Sequence, residues 1–345
     1  MRGMAMVTVS LCMIVKNEED KLKTCLDCLK DLVDEMIIVD TGSTDKTVEI
    51  AKSFGAKVFE YEWTGNFSDA RNFSFQQATC DFIYAADADE IIDEENQKRF
   101  KQLKIDIDEL DIDVVQMYYC NQLSHNTVYN YDRELRPKLF RRVRSFVWED
   151  PIHETVKLDP TVCNSDVEII HNPTEEHGER DLTAFRCSIT RGEYISKRLH
   201  NLYARELYLV GSDEDFMLAK KFFEESIVDT GRTLDEIKEA SCVLAHIAVI
   251  ERNTEALLKY SLKDLTTIPS SEMCYELGNY YRNIGDLDEA IVWYYNAVYE
   301  SSPILNIHIG GDVTLMKLSE CYRELGNLEQ AEDYEKEARN WHVPY

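Results

Sequence analysis

The 345-residue chain has no apolar run long enough to cross a bilayer: the stretch Val7 to Val15 falls far short of the roughly 20 residues a spanning helix needs. No charged-then-apolar leader precedes that stretch. Ten cysteines are present, but without the even, close spacing of a disulfide framework, so a reduced, cytoplasmic protein is expected. Cys25 and Cys28 form a CxxC pair, yet they share an amphipathic helical pattern with Leu22, Leu26, Leu29 and Leu32. With no second CxxC or His pair to complete a metal site, they read as residues at the edge of a core. Positive charge is also scarce. Lys and Arg number 38 against 65 Asp and Glu, a net charge of −27. Residues 1–180 hold 21 against 36 and the remainder 17 against 29, so −15 and −12, and the acidity is spread through the chain. Such a surface repels nucleic acid and anionic membranes, and neither is expected as a partner.

What is present points to two domains. The length exceeds the ~250 residues at which a single core stops growing, and a hydrophobic fraction of 44% is enough to pack both. In the first third, β-rich runs at Val7 to Val15, Glu35 to Asp40, Lys57 to Trp63 and Asp81 to Asp87 alternate with helical patterns, as in a parallel α/β sheet. One helix is expected from about Asn17, one capped by Ser43 or Thr44 and running to Phe54, and one over Asn66 to Thr79. A charged helix to about Leu103 follows, then β-rich stretches at Asp113 to Gln122, Pro137 to Val143 and Val167 to His171.

After about Thr174 the β signal stops and a repeat appears. Glu272 to Pro303 carries Leu277, Gly278, Tyr281, Ala290, Tyr294 and Ala297 at the positions of a tetratricopeptide repeat. Moving back 34 residues brings up Leu244, Ile247, Ala256, Tyr260 and Pro269. Moving forward, past an insertion around Ile304 to Thr314, brings up Leu318, Ser319, Tyr322, Gly326, Ala331 and Ala338. Three repeats suffice for a stable stack, with Thr183 to Thr230 as degenerate helical pairs capping it.

The candidate chemistry lies where Tyr84-Ala85-Ala86-Asp87-Ala88-Asp89-Glu90 ends a hydrophobic run. Carboxylates at i and i+2 of a strand face one side, at the edge where open α/β sheets bind ligands. Hard oxygen ligands suit Mg²⁺ or Mn²⁺, which would hold a nucleotide diphosphate and neutralise it as it leaves. A lone acidic triplet is common in so acidic a chain, but Asp40 ends the second run at the same edge, able to accept hydrogen bonds from a base or ribose. Asn17 and Glu18 end the first, and Asp69, Arg71 and Asn72 lie on the helix leading to the triplet. Arg71 supplies a guanidinium fork for phosphate or for orienting carboxylates, with a surface ion pair as the plainer reading.

With these pieces in view, residues 9–90 resemble a family 2 glycosyltransferase of GT-A fold. The matching segments are Met13 to Glu18, Ile38 to Thr47, Phe67 to Asn72 and Asp87 to Glu90. The resemblance implies an α/β, GT-A (Rossmann-like) nucleotide-sugar domain over residues 1–178, followed by an all-α tetratricopeptide-repeat domain over 179–345. It implies that Asp40 and Asn17 border the nucleoside, with Val15, Glu18, Ser43 and Ala88 in the same donor-binding set. Asp69 and Arg71 reach the base or diphosphate, and Asp89 binds the metal with Asp87 assisting. The donor it implies is a UDP-sugar.

The pairing with repeats is similar to a bacterial subgroup that includes the peptide S-glycosyltransferases of glycosylated bacteriocins. Trp148 to Glu154, ending in His-Glu, and Val167 to His171 fit that subgroup. Inversion by single displacement onto a Cys, Ser, Thr or sugar hydroxyl follows from the family resemblance, and it needs a base. Glu154 is the expected base, with Asp150 or Glu149 as alternatives and His153 orienting the acceptor or base; His171 stands where a third metal ligand would be. Arg133, Arg136, Lys138, Arg141, Arg142 and Arg144 crowd six cations into twelve residues. Part of this cluster, with Arg141 as the named contact, is expected to face the diphosphate, the rival being a solvated strand face. The repeats expose a groove for an extended peptide or partner helix, and an acidic groove would favour a basic or neutral peptide; a homodimer through the repeats is the competing use. A surface-glycan precursor as acceptor, or a scaffold that binds a nucleotide sugar without turnover, are the other readings.

Overall fold

The computed structural model describes residues 6–108, 110–120, 133–156, 158, 161–172, 178–265 and 268–342. Asn121 and Gln122, the end of the strand expected over 113–122, lie outside them. The chain divides into two compact units, residues 1–176 and 177–345.

In the first unit the elements alternate: β1 (Val9–Val15), α1 (Leu22–Leu29), β2 (Glu35–Asp40), α2 (Thr47–Ser53), β3 (Lys57–Glu60), α3 (Phe67–Gln76) and β4 (Phe82–Ala85). Then come β5 (Glu90–Ile91), α4 (Glu94–Asp106), β6 (Val114–Cys120), β7 (Glu134–Arg141), β8 (Trp148–Glu149), β9 (Thr155–Val156) and β10 (Val162–His171). One sheet has the order β3-β2-β1-β4-β7-β6-β10-β5, and β8 pairs with β9 apart from it. Strands β1 to β4 are parallel, as expected. The sheet as a whole is mixed, because β7 runs antiparallel to both β4 and β6, and β5 antiparallel to β10. Two-residue strands such as β5, β8 and β9 carry no periodicity that a sequence could display.

Both faces of the sheet are covered, which is why its strands read as continuous apolar runs. Leu11, Met13, Ile38, Phe82 and Tyr84 point into one core with Leu22, Leu26 and Phe100. Their neighbours Cys12, Ile37, Val39, Ile83 and Ala85 point into another with Phe75, Phe140 and Trp148.

Three local expectations change. The helix expected from Asn17 begins at Leu22, because Asn17 has φ 56°, a left-handed conformation outside the α region. Neither Ser43 nor Thr44 caps α2: Ser43 Oγ accepts from the amide of Asn17, and Asp45 Oδ1 accepts from Thr47 N. The strand expected to reach Asp87 stops at Ala85, so Asp87 and Asp89 lie in a turn and the same-face rule of a strand no longer governs them.

The second unit is all helix: α5 (Gly178–Thr190), α6 (Lys197–Val210), α7 (Asp213–Val228), α8 (Leu234–Ile250), α9 (Thr254–Leu265), α10 (Ser271–Asn283), α11 (Leu287–Tyr299), α12 (Asp312–Glu324) and α13 (Leu328–Arg339). Side-chain caps start most of them. Ser212 and Thr233 form full capping boxes, and Ser270, Asp286 and Asn327 accept from the third helical amide. Helices α8/α9, α10/α11 and α12/α13 pair within the three expected repeats, while α6, α8 and α10 pack side by side as a layer. One cavity in this unit, between α6 and α8, carries Lys197, Arg198, Arg205 and Lys238 against Asp235 and Glu239. The sign of its lining is thus opposite to that of the chain's net charge. No helix among the described residues is long and apolar enough to cross a membrane.

Gly278 shows how tightly the repeats pack. A Cβ there would lie 2.5 Å from the ring of Tyr294, which is fully buried and fixed by a 2.7 Å hydrogen bond from its hydroxyl to Asn279 Oδ1. In an open helix Gly→Ala would gain about 1 kcal/mol. Here the overlap should outweigh that gain, and Gly278→Ala is expected to lower stability by about 1–2 kcal/mol in urea unfolding.

Candidate active site

Strands β2 and β3 lie on one side of β1 and β4 on the other, so the chain reverses direction across the sheet between β1 and β4. Open α/β sheets form their ligand crevice at such a reversal, beyond the carboxyl ends of the strands. Val15 and Asp40 are in register there, and Ala85, after which the turn begins, pairs with Cys12 on the same strand as Val15.

On the β1–β2 side the residues are held by the backbone. The buried Asp40 carboxylate accepts from the amides of Gly42 and Ser43, so the group expected to meet a nucleoside also shapes the turn beneath it. Asn17 Oδ1 accepts from Thr44 N at 2.8 Å, joining the ends of β1 and β2. Glu18 donates its amide to Thr47 Oγ1 and lies 3.7 Å from Lys21 Nζ. The Val15 carbonyl accepts from both the amide and the hydroxyl of Thr41. Asp69 is exposed on the first turn of α3, and Ala88 is buried in the core beneath the turn.

On the β4 side an ionic chain crosses the turn. Arg71, on α3 and only 9% exposed, donates Nη2 to Asp87 Oδ1 at 2.6 Å and Nε to Glu154 Oε1, and its guanidinium lies over Trp148 at 5.0 Å. Burial alone would raise the Asp87 carboxyl, but Arg71, with Lys138 and Arg136, holds it well below the usual carboxylate range. Burial would likewise lower Arg71, and the two carboxylates more than reverse that. Asp89 does not join this chain: its Oδ2 lies 3.4 Å from His171 Nε2 at the end of β10. That imidazole lowers the Asp89 pKa against the opposing effect of burial. The two aspartates therefore share an edge but take different partners. The donor atoms of Asp87, Asp89 and His171 do not all lie within 4.8 Å of one another in this arrangement, although carboxylate oxygen and imidazole nitrogen are the donor types a hard or borderline divalent cation takes.

The segment carrying the expected base is strained. Asp150 and His153 have φ of 73° and 48°, and with Asn17 they make three of the five non-glycine residues at positive φ among the described residues. Such strain persists where surrounding contacts hold it. Here the carbonyls of Asp150 and Pro151 accept from Ser68 Oγ and Phe67 N, and Asn72 is hydrogen-bonded to both the amide and the carbonyl of Trp148. Helix α3 thereby positions Glu154.

Arg141 is a correction. It pairs in register with Phe82, at the start of β4, about 16 Å of strand from Asp87. Its Nε and Nη2 donate to the carbonyls of Ile112 and Leu110, and with Arg144 it surrounds the buried carboxylate of Asp113. It cannot face the crevice. Antiparallel β7 instead delivers its opposite end: Lys138, 6% exposed, pairs with the buried Glu90, and Arg136 stacks 3.9 Å above the ring of Tyr119. The ring of Tyr119 in turn meets His171 at 5.2 Å. Reading the sequence held Lys138 only as a member of the cation cluster, and it missed Glu90 and Tyr119 as the neighbours of these cations at this edge. Glu90 was visible as the third carboxylate of the triplet, but burial and its pairing across the sheet were not. Its carboxyl is pushed up to about 7, chiefly by burial, with Lys138 opposing.

Removing Arg71 would leave Asp87 and Glu154 without their shared cation. Arg71→Met is expected to cost about 3–5 kcal/mol in urea unfolding at neutral pH, and Arg71→Lys less. The depressed pKa of Asp87 contributes stability above the ordinary carboxylate range, which is lost as pH falls through its lower folded value. The gap between wild type and Arg71→Met should therefore narrow below about pH 4.

Family profiles, curated relatives and solved structures match parts of this chain. The Glycosyl transferase family 2 profile matches residues 10–156, and the Tetratricopeptide repeat profile matches residues 271–302. A TPR repeat-containing protein of Synechococcus elongatus is 31% identical over 349 residues, covering 97% of this chain and 76% of that protein. The SPbeta prophage-derived glycosyltransferase SunS of Bacillus subtilis is 29% identical over 216 residues, 60% of this chain and 51% of SunS, so the match spans about half of that relative's length. Among solved structures, glucosyl-3-phosphoglycerate synthase of Mycobacterium tuberculosis, in complex with Mn²⁺, UDP and glucosyl-3-phosphoglycerate, aligns with a TM-score of 0.42 at 18% identity over 55% of this chain and 82% of that one. The chain belongs to glycosyl transferase family 2, and it is a glycosyltransferase whose α/β domain is followed by tetratricopeptide repeats.

Proposed function

We propose that the enzyme is an inverting, metal-dependent glycosyltransferase that moves a sugar from a UDP-sugar to a Cys, Ser or Thr side chain of a polypeptide. The observation that carries this reading is the ionic chain Glu154–Arg71–Asp87 beside Asp89 and His171 at the reversal of the sheet. That arrangement supports a base on the Glu154 segment and a metal site at Asp89 within one crevice.

Asp89, with Asp87 and His171, would hold Mg²⁺ or Mn²⁺, whose charge offsets that of the departing diphosphate. Arg136 and Lys138, at the crevice end of β7, replace Arg141 as the cations that add positive potential there. Asp40, Asn17, Val15, Glu18, Ser43 and Ala88 line the nucleoside side, with the exposed Asp69 reaching the base. In the transfer step the acceptor sulfur or oxygen bonds to the anomeric carbon as that carbon's bond to the diphosphate oxygen breaks. The acceptor proton passes to Glu154, and UDP leaves with the electron pair. Arg71 acts as a positioning residue by fixing the Glu154 carboxylate relative to Asp87. His153 orients the acceptor, and Asp150 is the alternative base. A thiol acceptor, already partly ionised near neutral pH, asks less of that base. The repeats support a polypeptide acceptor over a glycan precursor, since stacked repeats characteristically hold extended chains.

Titration calorimetry tests the donor half. UDP with Mn²⁺ is expected to bind the wild type and to lose most of its affinity in Asp89→Ala or in the presence of chelator. Arg141→Glu should bind as the wild type does, whereas Lys138→Met should weaken binding. Metal-independent binding, or none to UDP or UDP-sugars, would refute the donor assignment. For the chemical step, Glu154→Gln should lower kcat about 10²–10⁴-fold with little change in donor KM. Full turnover in that variant would remove Glu154 as the base.

A further inference from the structure

Within a chain of net charge −27, the cavity between α6 and α8 has walls of the opposite sign. It is open to solvent and offers about 650 Å³, with Lys197, Arg198, Arg205 and Lys238 against Asp235 and Glu239. Both wall carboxylates are already engaged. Asp235 accepts from Lys197 at 2.7 Å, and Glu239 accepts from Asn201 while meeting His200 Nδ1, also at 2.7 Å. Lys238 donates to the Ile268 carbonyl and lies 3.4 Å from the buried Asp264. With Asp264 counted beside Lys238, four cations meet three carboxylates, which leaves the wall positive by one charge. A guanidinium or ammonium that has one partner still offers further N–H groups.

The spacing of the wall selects an extended chain over a compact anion. Lys197, Asn201 and Arg205 stand at i, i+4 and i+8 of α6, on one face, rising about 6 Å per step. Alternate side chains of an extended peptide repeat every ~6.6 Å, close to that step. Asn201, between two cations, carries both donor and acceptor atoms suited to a peptide backbone, while Pro303 and Ile304 add an apolar edge.

We infer that this cavity holds an acidic segment of the polypeptide acceptor, with Asp or Glu side chains at alternate positions along α6 and an apolar residue against Pro303 and Ile304. The inference rests on the reading that the acceptor is a polypeptide, and it replaces the basic or neutral peptide that net charge alone suggests.

The test is fluorescence anisotropy on the full chain. The probe is a labelled nonapeptide with glutamate at alternate positions and leucine at one end, compared with its lysine counterpart. The glutamate peptide should bind at least about tenfold tighter, and added salt should weaken it. Lys197→Glu combined with Arg198→Glu should weaken it about tenfold or more, and the neutral pair Lys197→Gln with Arg198→Gln by less, with thermal unfolding and UDP binding unchanged in both. The inference is overturned if the lysine peptide binds equally well, if the charge-reversed variant keeps its affinity, or if inorganic polyphosphate of equal charge binds as tightly as the peptide. Retained glutamate-peptide binding in a chain that binds no UDP would sink the donor assignment and leave this one standing.

Discussion

The crevice depends on one buried cation. Taking a guanidinium out of water costs several kcal/mol, and only well-placed carboxylates return it. Arg71 meets that requirement with Asp87 from the turn after β4 and Glu154 from the segment before β9, and its flat face lies on Trp148. Three parts of the chain far apart in sequence are therefore held in one arrangement. An arginine does this better than a lysine, because its planar fork gives each carboxylate its own N–H direction. The same residue that keeps Asp87 ionised also fixes where Glu154 can stand, so the charge of Asp87 and the place of the Glu154 carboxylate are set together.

The mixed sheet divides the remaining cations into two groups with different roles. Because β7 runs antiparallel to β4, residues close in sequence end at opposite edges. Arg141, Arg142 and Arg144 reach the far edge, where Asp113 and the carbonyls of Cys80, Ile112 and Leu110 take them up. Arg136 and Lys138 reach the crevice. The far group anchors loops and the near group adds positive potential beside Asp87. The strand's direction, which no residue type announces, makes that separation.

Charge is handled differently in the repeats. Many of their carboxylates face inward: Glu272 is fully buried and accepts from the amides of Ile304, Leu305 and Asn306, which pins the inserted segment between the last two repeats. Glu239 and Glu276 are taken up by His200 and His246. An acidic chain that uses its carboxylates internally can present a cavity of positive sign, and overall composition is then a poor guide to what that cavity binds.

Much was legible from the sequence. Apolar runs alternating with helical patterns foretold the α/β unit, because strands buried on both faces must be apolar throughout. The 34-residue period foretold the repeats, because each is a helix pair closed by contacts such as Gly278 against Tyr294. The resemblance, carried by Asp40, Arg71 and the Asp87–Glu90 run, pointed to the correct family. Other features were set only by folding. The pairing of Arg71 with Glu154, the divergence of Asp87 and Asp89 onto different partners, the exile of Arg141 and the positive cavity on α6 all arise from contacts between distant segments. Local pattern encodes which face of an element is buried. Which charge meets which depends on strand direction and on the desolvation cost of leaving any one unpaired, and those are decided only when the whole chain is packed.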